Sequence, residues 1–463
     1  MTASSTRPNA PARHVIHDEV SRLQSCALFA PGDELDRMLP RHIEAYVLAA
    51  EAPVGPGEAH ALGAETLRDN RDYLLFDDLV LLPLLRDEHA ELASVVRAVT
   101  GPHACLDVRV MLGEVLADES VAAEVVADVL ADDRLGPAER HAADVALTKL
   151  RGARLAEALI QGALPHAETA ILPAPAPNLL FARDLWAPIG DAIALGWPRH
   201  RARQRDGILS RAIVRHHPEF SDVAAIDLRL DNRAADITLE GGDVLVAAPN
   251  LVLVGYGPRT SRRAAHLLAE RLPAHVDVIG VRLPLRRATM HLDTLLTFID
   301  THAVLAYLPA FDPQSPELER CEVHDLRSGQ KLGCNLPAIL GERLWGLQVV
   351  PCGDGDPVAA QREQWTDGAN AVCLAPGRIV LYRRNTRTLR ALNRAGFEVL
   401  TPQQFVANTE LLLQGDRRIV VAVGGAELSR GRGGPRCLTL PVGRARRDTH
   451  QVVSPLPVSE PEQ

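Results

Sequence analysis

Residues 243–256 read DVLVAAPNLVLVGY, two short apolar runs joined by Pro-Asn, and this stretch decides the fold class. Pro-Asn is a turn dipeptide, so the pattern predicts two strands that follow each other directly. A helical pattern follows at 261–272 (SRRAAHLLAERL), and another apolar run follows at 276–283 (VDVIGVRL). Strands that alternate with a helix in this way predict an α/β fold.

The same alternation of apolar runs and helical patterns continues along the second half of the chain. Further strands are predicted at 303–309 (AVLAYLP), 371–382 (AVCLAPGRIVLY) and 397–402 (FEVLTP), and a helix at 387–397. Between 113 and 162 the pattern changes to Ala, Leu and Val at helical spacing, broken at Gly136-Pro137, which predicts a small helical insertion.

The two ends of the sequence are polar, carry prolines and show no periodicity. We therefore expect disordered tails at 1–14 and 446–463. The remainder, 15–445, is expected to form a single catalytic domain, with the helical insertion at about 113–168.

Composition narrows the function classes. With 46% hydrophobic and 24% charged residues the chain is typical of a globular protein. A net charge of −9 argues against a surface built to bind nucleic acid or anionic lipid. No apolar run is long enough to span a membrane, and no secretory signal begins the sequence. Seven scattered cysteines without a CxxC pair argue against a disulfide framework and a structural zinc site, so a cytoplasmic protein is expected.

Four short clusters concentrate residues that can carry chemistry. Each has a bland interpretation as well: a surface ion pair for Arg183-Asp184, an ordinary acidic turn for Glu240-Gly-Gly-Asp243, and a satisfied polar pair for His291 and Asp293. If residues 290–293 are extended, His291 and Asp293 share a face. The clusters are PNLLFARD (177–184), LEGGD (239–243), MHLDT (290–294) and GRGGPRC (431–437).

The fourth cluster is glycine-rich but lacks the Gly-Lys-Ser/Thr ending of a phosphate-binding loop. It ends at Cys437, where the flanking arginine is expected to favour the thiolate. Together the clusters supply a cysteine nucleophile, a histidine acid/base and three carboxylates. Carboxylates in such a site would hold a cation, and a guanidinium pairs with them bidentately. The chemistry indicated is attack on a guanidinium carbon.

These motifs occur in the order found in a known family: the sequence resembles the arginine deiminases of the guanidine-modifying (pentein) superfamily. REQWTDGAN (362–370) and YRRNT (382–386) match as well, and APGDEL (30–35) and LLFDD (74–78) resemble the family's N-terminal motifs. The resemblance implies a five-fold pseudosymmetric α/β propeller of ββαβ units with a helical insertion. It also implies hydrolysis of free L-arginine to L-citrulline and ammonia without a metal or organic cofactor.

The resemblance also assigns roles to the site residues. Cys437 would be the nucleophile and His291 the general acid and base, with Glu240 orienting the imidazole. Asp184 and Asp293 would grip the guanidinium nitrogens.

The substrate's α-carboxylate would bind at the far end of the pocket. The residues implied there, including the mobile cysteine loop, are Asn178, Arg203, Arg259, Gly431 and Arg432.

Two alternatives stay open at this stage. A related amidinotransferase, or a deiminase of another small guanidine, would use the same cysteine and histidine. A catalytically weak arginine-binding protein would keep the pocket without turnover. The expected partner is free arginine, with no nucleic acid or membrane, in a possible homo-oligomer.

Overall fold

The computed structural model describes residues 14–48, 67–132, 134–165, 169–230, 236–344 and 346–446. The predicted tails lie outside these ranges, except for His14 and Arg446. Within the described ranges the chain is an α/β structure built from several small sheets, so the predicted fold class is confirmed at that level.

The strands within the described ranges are short. They are β1 Leu23–Leu28, β2 Tyr46–Leu48, β3 Leu67–Asp69, β4 Cys105–Asp107, β5 Trp186–Ile189, β6 Ala192–Leu195, β7 Ala224–Ile226, β8 Val244–Ala248, β9 Leu251–Tyr256, β10 Asp277–Arg282, β11 Leu296–Asp300, β12 Ala303–Ala306, β13 Glu322–Asp325, β14 Lys331–Gly333, β15 Gln348–Pro351, β16 Val372–Ala375, β17 Arg378–Tyr382, β18 Phe397–Leu400, β19 Arg418–Val423 and β20 Thr439–Arg444.

The α-helices lie between these strands and in one group near residue 130. They are α1 Leu82–Thr100, α2 Val108–Val115, α3 Glu119–Leu130, α4 Pro137–Leu147, α5 Gly152–Gln161, α6 Gln204–His216, α7 Arg262–Arg271, α8 Leu336–Leu344, α9 Pro357–Trp365, α10 Thr386–Arg394, α11 Pro402–Ala407 and α12 Thr409–Leu412.

Among the described residues, five sheets share one arrangement of strands. In each, a first strand pairs antiparallel with a second, and the second pairs parallel with a third. The parallel step needs a crossover, which explains why helical segments separate the second and third strands. The five triplets are β5-β6-β7, β8-β9-β10, β11-β12-β15, β16-β17-β19 and β20-β1-β4.

The opening stretch shows how the sequence produces this unit. Val244 pairs with Val254 across the hairpin, and Asp277 to Arg282 then run parallel to Leu251 to Tyr256. The central strand β9 is buried along its whole length, which explains why its residues read as a continuous apolar run. Helix α7 makes the crossover and begins at the cap Ser261, whose side chain accepts from the backbone N–H of Ala264.

The fifth unit joins residues from both ends of the sequence. Leu28 pairs with Thr439, and Cys26 pairs with Cys105 on the other side of β1. Helices α2 to α5 follow this sheet, and their apolar faces share one buried cluster with Trp186 and Leu440.

None of the helices in the described ranges combines enough length with enough apolar character to cross a bilayer.

Candidate functional site

Four of the catalytic residues predicted from the sequence lie just before the first strand of one of the five triplet sheets. Asp184 ends a short 3-10 turn before β5, Glu240 precedes β8, His291 precedes β11 and Cys437 precedes β20. Because the five sheets share one topology, equivalent strand ends bring these side chains together from distant parts of the chain. The remaining sheet begins at β16, which is preceded by Asn370.

One small cavity collects most of the predicted site. Its volume is about 10 Å³, roughly enough for one water molecule. Its walls include the predicted residues Asn178, Asp184, Arg203, Arg259, His291, Gly431, Arg432 and Cys437. Glu240 and Asp293 lie behind this wall, and each contacts a residue that forms it.

His291 is held by two carboxylates. Its Nε2 lies 2.9 Å from Glu240 Oε2, and its Nδ1 lies 3.7 Å from Asp184 Oδ1. Burial disfavours the imidazolium, but Asp184, the bond to Glu240 and the charge of Asp243 outweigh it and raise the pKa of His291 to about 9. The ring is therefore a charged proton donor at neutral pH.

Gly242 makes this arrangement possible by allowing a close approach. A Cβ there would lie 2.9 Å from both Asp184 Oδ1 and the ring of His291. Its backbone N–H also donates to Asp184 Oδ1 at 3.1 Å. The Gly-Gly pair that the sequence suggested as a tight turn thus serves side-chain packing as well.

Glu240 carries a negative charge and contacts His291, Arg203 and Arg259. Burial alone would favour its neutral form, but Arg259, the bond to His291 and Arg203 hold the pKa of this carboxyl well below its usual range. Arg259 Nη1 lies 3.2 Å and Arg203 Nη1 3.5 Å from Glu240 Oε2. Arg203 also donates to Asp184 and, at 3.0 Å, to Asp206.

The thiol of Cys437 is buried beside Asp293. The Sγ atom lies 3.7 Å from Asp293 Oδ2. Burial, then the charges of Asp293 and Asp184, raise the pKa of the Cys437 thiol well above its usual range. The predicted effect of the flanking arginine is therefore wrong, because Arg436 points to carboxylates instead of stabilising the thiolate.

Arg436 is fully buried between two acids. Its Nη1 donates to Asp293 Oδ2 at 2.8 Å, while Nε and Nη2 donate to the two oxygens of Glu19 at 3.2 and 3.0 Å. This bidentate pair fixes the residue next to the thiol and the acid that faces it. Arg436 was considered from the sequence only as the arginine that flanks the cysteine, whereas Glu19 was missed because it gave no signal there.

The predicted pairing of His291 with Asp293 is also wrong. Residues Leu292–Thr294 form a 3-10 turn, so the segment is not extended through Asp293 and the two side chains diverge. His291 turns to Glu240, and Asp293 turns to Arg436 and the thiol. Both residues still belong to one site, but on different sides of it.

Asn370 is the second functional candidate that the sequence reasoning missed. Its Oδ1 accepts from the backbone N–H of Cys437 at 3.0 Å, and its Nδ2 donates to the backbone carbonyl of Asp293, also at 3.0 Å. A Cβ at Gly434 would lie 2.7 Å from Asn370 Oδ1. Two features of the sequence could have identified Asn370. It lies just before β16, the first strand of its sheet, and it is the last residue of the motif REQWTDGAN.

The cysteine loop is closed over the cavity by Arg432. Its guanidinium lies 3.8 Å from the centre of the Trp365 ring, and its Nη1 donates to the Trp365 carbonyl at 2.6 Å. Arg432 has a φ of 64°, a left-handed conformation that is costly for this residue. The contacts with Trp365 offset that cost in the closed form.

Asp184, Glu240 and His291 also lie close enough together to suit a metal ion. Their surroundings do not fit one, because the guanidinium groups of Arg203 and Arg259 already contact Glu240, and that of Arg203 also contacts Asp184. The donor set is better suited to proton transfer than to metal binding.

The amino-acid sequence of this chain is similar to those of known proteins. A family model described as arginine deiminase matches residues 72–444. The arginine deiminase of Mycobacterium marinum is 33% identical over 453 residues, covering 92% of this chain and 97% of the relative. That of Limosilactobacillus fermentum is 30% identical, with 93% and 98% covered.

A solved structure shares the fold over nearly the full length. It is an amidinotransferase from Microseira wollei in the saxitoxin biosynthetic pathway, 12% identical, with a TM-score of 0.50. The match covers 96% of this chain and 100% of the other.

Proposed function

The chain belongs to the arginine deiminase family, and on that premise we propose that it hydrolyses free L-arginine to L-citrulline and ammonia. One observation carries the proposal: a single cavity is lined by a thiol, an imidazolium and a carboxylate, and also by three arginines. The first group suits a guanidinium, and the arginines suit a carboxylate. Free arginine carries both.

In the first half of the reaction the Cys437 thiol loses its proton to water as the guanidinium binds, and the thiolate sulfur adds to the guanidinium carbon, forming a C–S bond and a tetrahedral adduct. Asp184 and Asp293 hold the guanidinium nitrogens. The His291 imidazolium gives its proton to one terminal nitrogen, which leaves as ammonia when its C–N bond breaks. An amidino-thioether remains on Cys437.

In the second half the neutral His291 takes a proton from water. The resulting hydroxide adds to the amidino carbon; the C–S bond then breaks, the new hydroxyl proton passes to the departing sulfur, and citrulline and the Cys437 thiol are released. Glu240 supports both halves, because a carboxylate 2.9 Å from Nε2 stabilises the imidazolium and fixes the ring. Nδ1, which is close to Asp184, is the nitrogen that faces the reaction.

The substrate itself helps to activate the buried thiol of Cys437. Carboxylates keep the Cys437 pKa high in the free protein. A guanidinium bound between Asp184 and Asp293 brings a positive charge next to the sulfur, which favours the thiolate at the moment it is needed.

Arg203, Arg259 and Arg432, with Asn178 and Gly431, form the proposed α-carboxylate end. The cavity of about 10 Å³ is far too small for arginine, so the loop carrying Arg432 has to open for entry. A pocket closed around a free carboxylate would exclude arginine within a peptide, because there the carboxylate is an amide.

For the architecture, we propose that the five triplet sheets close into one five-fold pseudosymmetric propeller spanning 15–445, with the helical insertion at about 113–168. The shared strand order supports this closure. Seven free cysteines are consistent with a reducing compartment, and we propose a cytoplasmic location.

The decisive experiment is an end-point assay of citrulline and ammonia with arginine as the only substrate. We expect equal amounts of both products, no turnover by Cys437→Ser, and arginine binding retained in that variant. Cys334→Ser, which alters a half-buried cysteine elsewhere, is the matched control. Turnover that requires glycine as amidino acceptor would replace hydrolysis with amidino transfer, and binding without any product would leave a binding protein.

A further inference from the structure

A much larger cavity lies outside the site described above, and none of the site residues lines it. It has a volume of about 500 Å³ and lies between helices α3 and α6, with Trp197 at one side. This volume falls in the range of small-molecule sites, and it is ample for an amino acid. Neither the proposed reaction nor any motif above uses it.

One wall of the cavity carries a surplus of positive charge. Arg211 and Arg215 of helix α6 share a single partner, Asp227, whose Oδ2 lies 2.9 Å from Arg215 Nη2. Arg229 lies over the Trp197 ring, with its Cζ 4.0 Å from the ring centre. Three guanidinium groups thus lie near one carboxylate, Asp227, and Arg211 also interacts with Asp128 of helix α3.

Arg229 is the group that points to a ligand. Its Nη1 is buried and has no hydrogen-bond partner, which is costly for a charged donor. Burial, and the neighbouring charge of Arg211, lower the pKa of Arg229. An anionic oxygen bound against the guanidinium groups that line the cavity would relieve their mutual repulsion.

The opposite wall carries acids. Glu124 and Asp128 stand four residues apart on helix α3, so they share one face, and both line the cavity. Among the described residues neither forms an ion pair. A polyanion such as a nucleotide would be repelled by this wall, whereas a ligand with a carboxylate at one end and cationic groups at the other matches both walls.

The cavity is connected to the proposed active site through the backbone. The N–H of Trp197 donates to the carbonyl of Leu239 at 2.8 Å, and the N–H of Leu239 donates back at 3.0 Å. Leu239 is followed directly by Glu240, which holds His291. Helix α6, which carries Arg211, begins directly after Arg203 of the active site.

We propose that this cavity is a second binding site for a basic α-amino acid, with the α-carboxylate at Arg229 and the cationic groups at Glu124 and Asp128, and that its occupancy changes turnover at the active site. Binding of the amino acid in this cavity does not depend on the proposed function. The effect on turnover does, because it requires that the chain hydrolyses arginine.

The binding experiment titrates L-arginine calorimetrically into Cys437→Ser protein, which cannot turn it over. We expect two sites per chain. Adding Arg229→Gln weakens one site at least tenfold and leaves the other unchanged, and Asp128→Asn, on an exposed helix face, weakens the same site. Arg263→Gln, which removes an exposed arginine paired with Asp236, is the matched control and leaves both sites intact.

A single site per chain that is insensitive to Arg229→Gln, or two sites insensitive to both cavity variants, overturns the proposal. The coupling is tested with L-lysine, which has the same charged groups but no guanidinium carbon. We expect it to change the citrulline rate of the Cys437-containing protein at least twofold, and to have no effect on Arg229→Gln. Equal inhibition of both proteins would mean competition at the active site and would overturn the coupling. A protein that makes no citrulline refutes the proposed hydrolysis and the coupling, while the calorimetric result still decides the binding.

Discussion

The backbone N–H of Cys437 donates to the side chain of Asn370 at 3.0 Å, and the other end of the same amide bonds to the Asp293 carbonyl. One side chain thus sets the distance between the thiol and the acid beside it. Because the two bonds leave from opposite atoms of a rigid amide, loss of the amide lets both segments shift.

Asn370→Ala is therefore expected to lower kcat by about 10- to 100-fold with little change in KM, since small displacements of reacting groups have effects of that size. Steady-state citrulline assays measure both constants. Asn408→Ala, which removes an exposed amide bonded to the Gln404 carbonyl, serves as the control. A change confined to KM would show that Asn370 acts on substrate binding instead.

Removing Glu19 would leave Arg436 with only one of its two acids. Burial would raise the pKa of Glu19, but three arginine charges, led by Arg436, hold it down at about 2, so Glu19 is ionised throughout the neutral range. Glu19→Gln is expected to lower the free energy of unfolding by about 3 kcal/mol, typical of breaking a buried ion pair. Urea denaturation measures the loss.

The control for that change is an exposed ion pair. Glu398→Gln breaks its pair with Arg417, in which both side chains are half exposed, and should cost under about 1 kcal/mol. Equal effects of the two variants would mean that the Glu19 pair adds nothing to stability.

The charge on His291 should persist to unusually high pH. Its folded pKa of about 9 lies above its ordinary value of 6.5, so its contribution to stability is complete below pH 6.5 and is lost as the pH rises through 9. Glu240→Gln removes a major cause of that rise and should lower the pKa by one unit or more. Histidine-labelled NMR titration measures both proteins, with His291→Asn used to assign the signal. An unchanged pKa in Glu240→Gln would assign the rise to Asp184.

The Cys437 thiol of the free protein should react slowly with iodoacetamide at pH 7.5, because its raised pKa leaves little thiolate. Asp293→Asn removes the nearest negative charge and should speed alkylation of this residue. Peptide mapping by mass spectrometry resolves each cysteine, and Cys334 in the same digest is the internal control. Fast alkylation of the unaltered protein would show that the thiolate already exists before substrate binds.

Asp367 should weaken the fold as the pH rises. Its Oδ2 is buried without a partner, and burial raises the pKa of this carboxyl to about 7, above its ordinary value of 3.8. The folded state therefore binds the extra proton between pH 4 and 7, and stability falls across that window.

Asp367→Asn should flatten this dependence and stabilise the protein by about 1 to 2 kcal/mol at pH 8, since asparagine tolerates the left-handed φ of 61°. Thermal unfolding at pH 5 and 8 measures the change. The exposed Asp416→Asn is the control, and equal pH slopes for Asp367→Asn and the unaltered protein would contradict the expectation.

The local part of the fold could be predicted from the sequence. The hairpin at 243–256, helix α7 and strand β10 follow from apolar runs, a turn dipeptide and a serine cap, all of which act over a few residues. The pairing of β1 with β20 could not, because nothing local connects segments so far apart.

For the site as well, the sequence predicted which residues take part but not the contacts between distant segments. Motif order identified the thiol, the imidazole and the three acids, but the direction of each side chain depends on distant partners. Arg436 turns away from the thiol because Glu19 holds it, and His291 turns away from Asp293 because a 3-10 turn intervenes. Proximity in sequence was a poor guide to both contacts.

The pairing of β1 with β20 has a consequence for how the molecule matures. A ribosome releases β1 long before β20, and β20 begins two residues after Cys437. The thiol takes its place beside Asn370 and Asp293 only when the segment that leads into β20 has been made and β20 has docked beside β1. The proposed catalytic centre is therefore assembled late in synthesis relative to β1, and arginine in the cell meets it only after that docking.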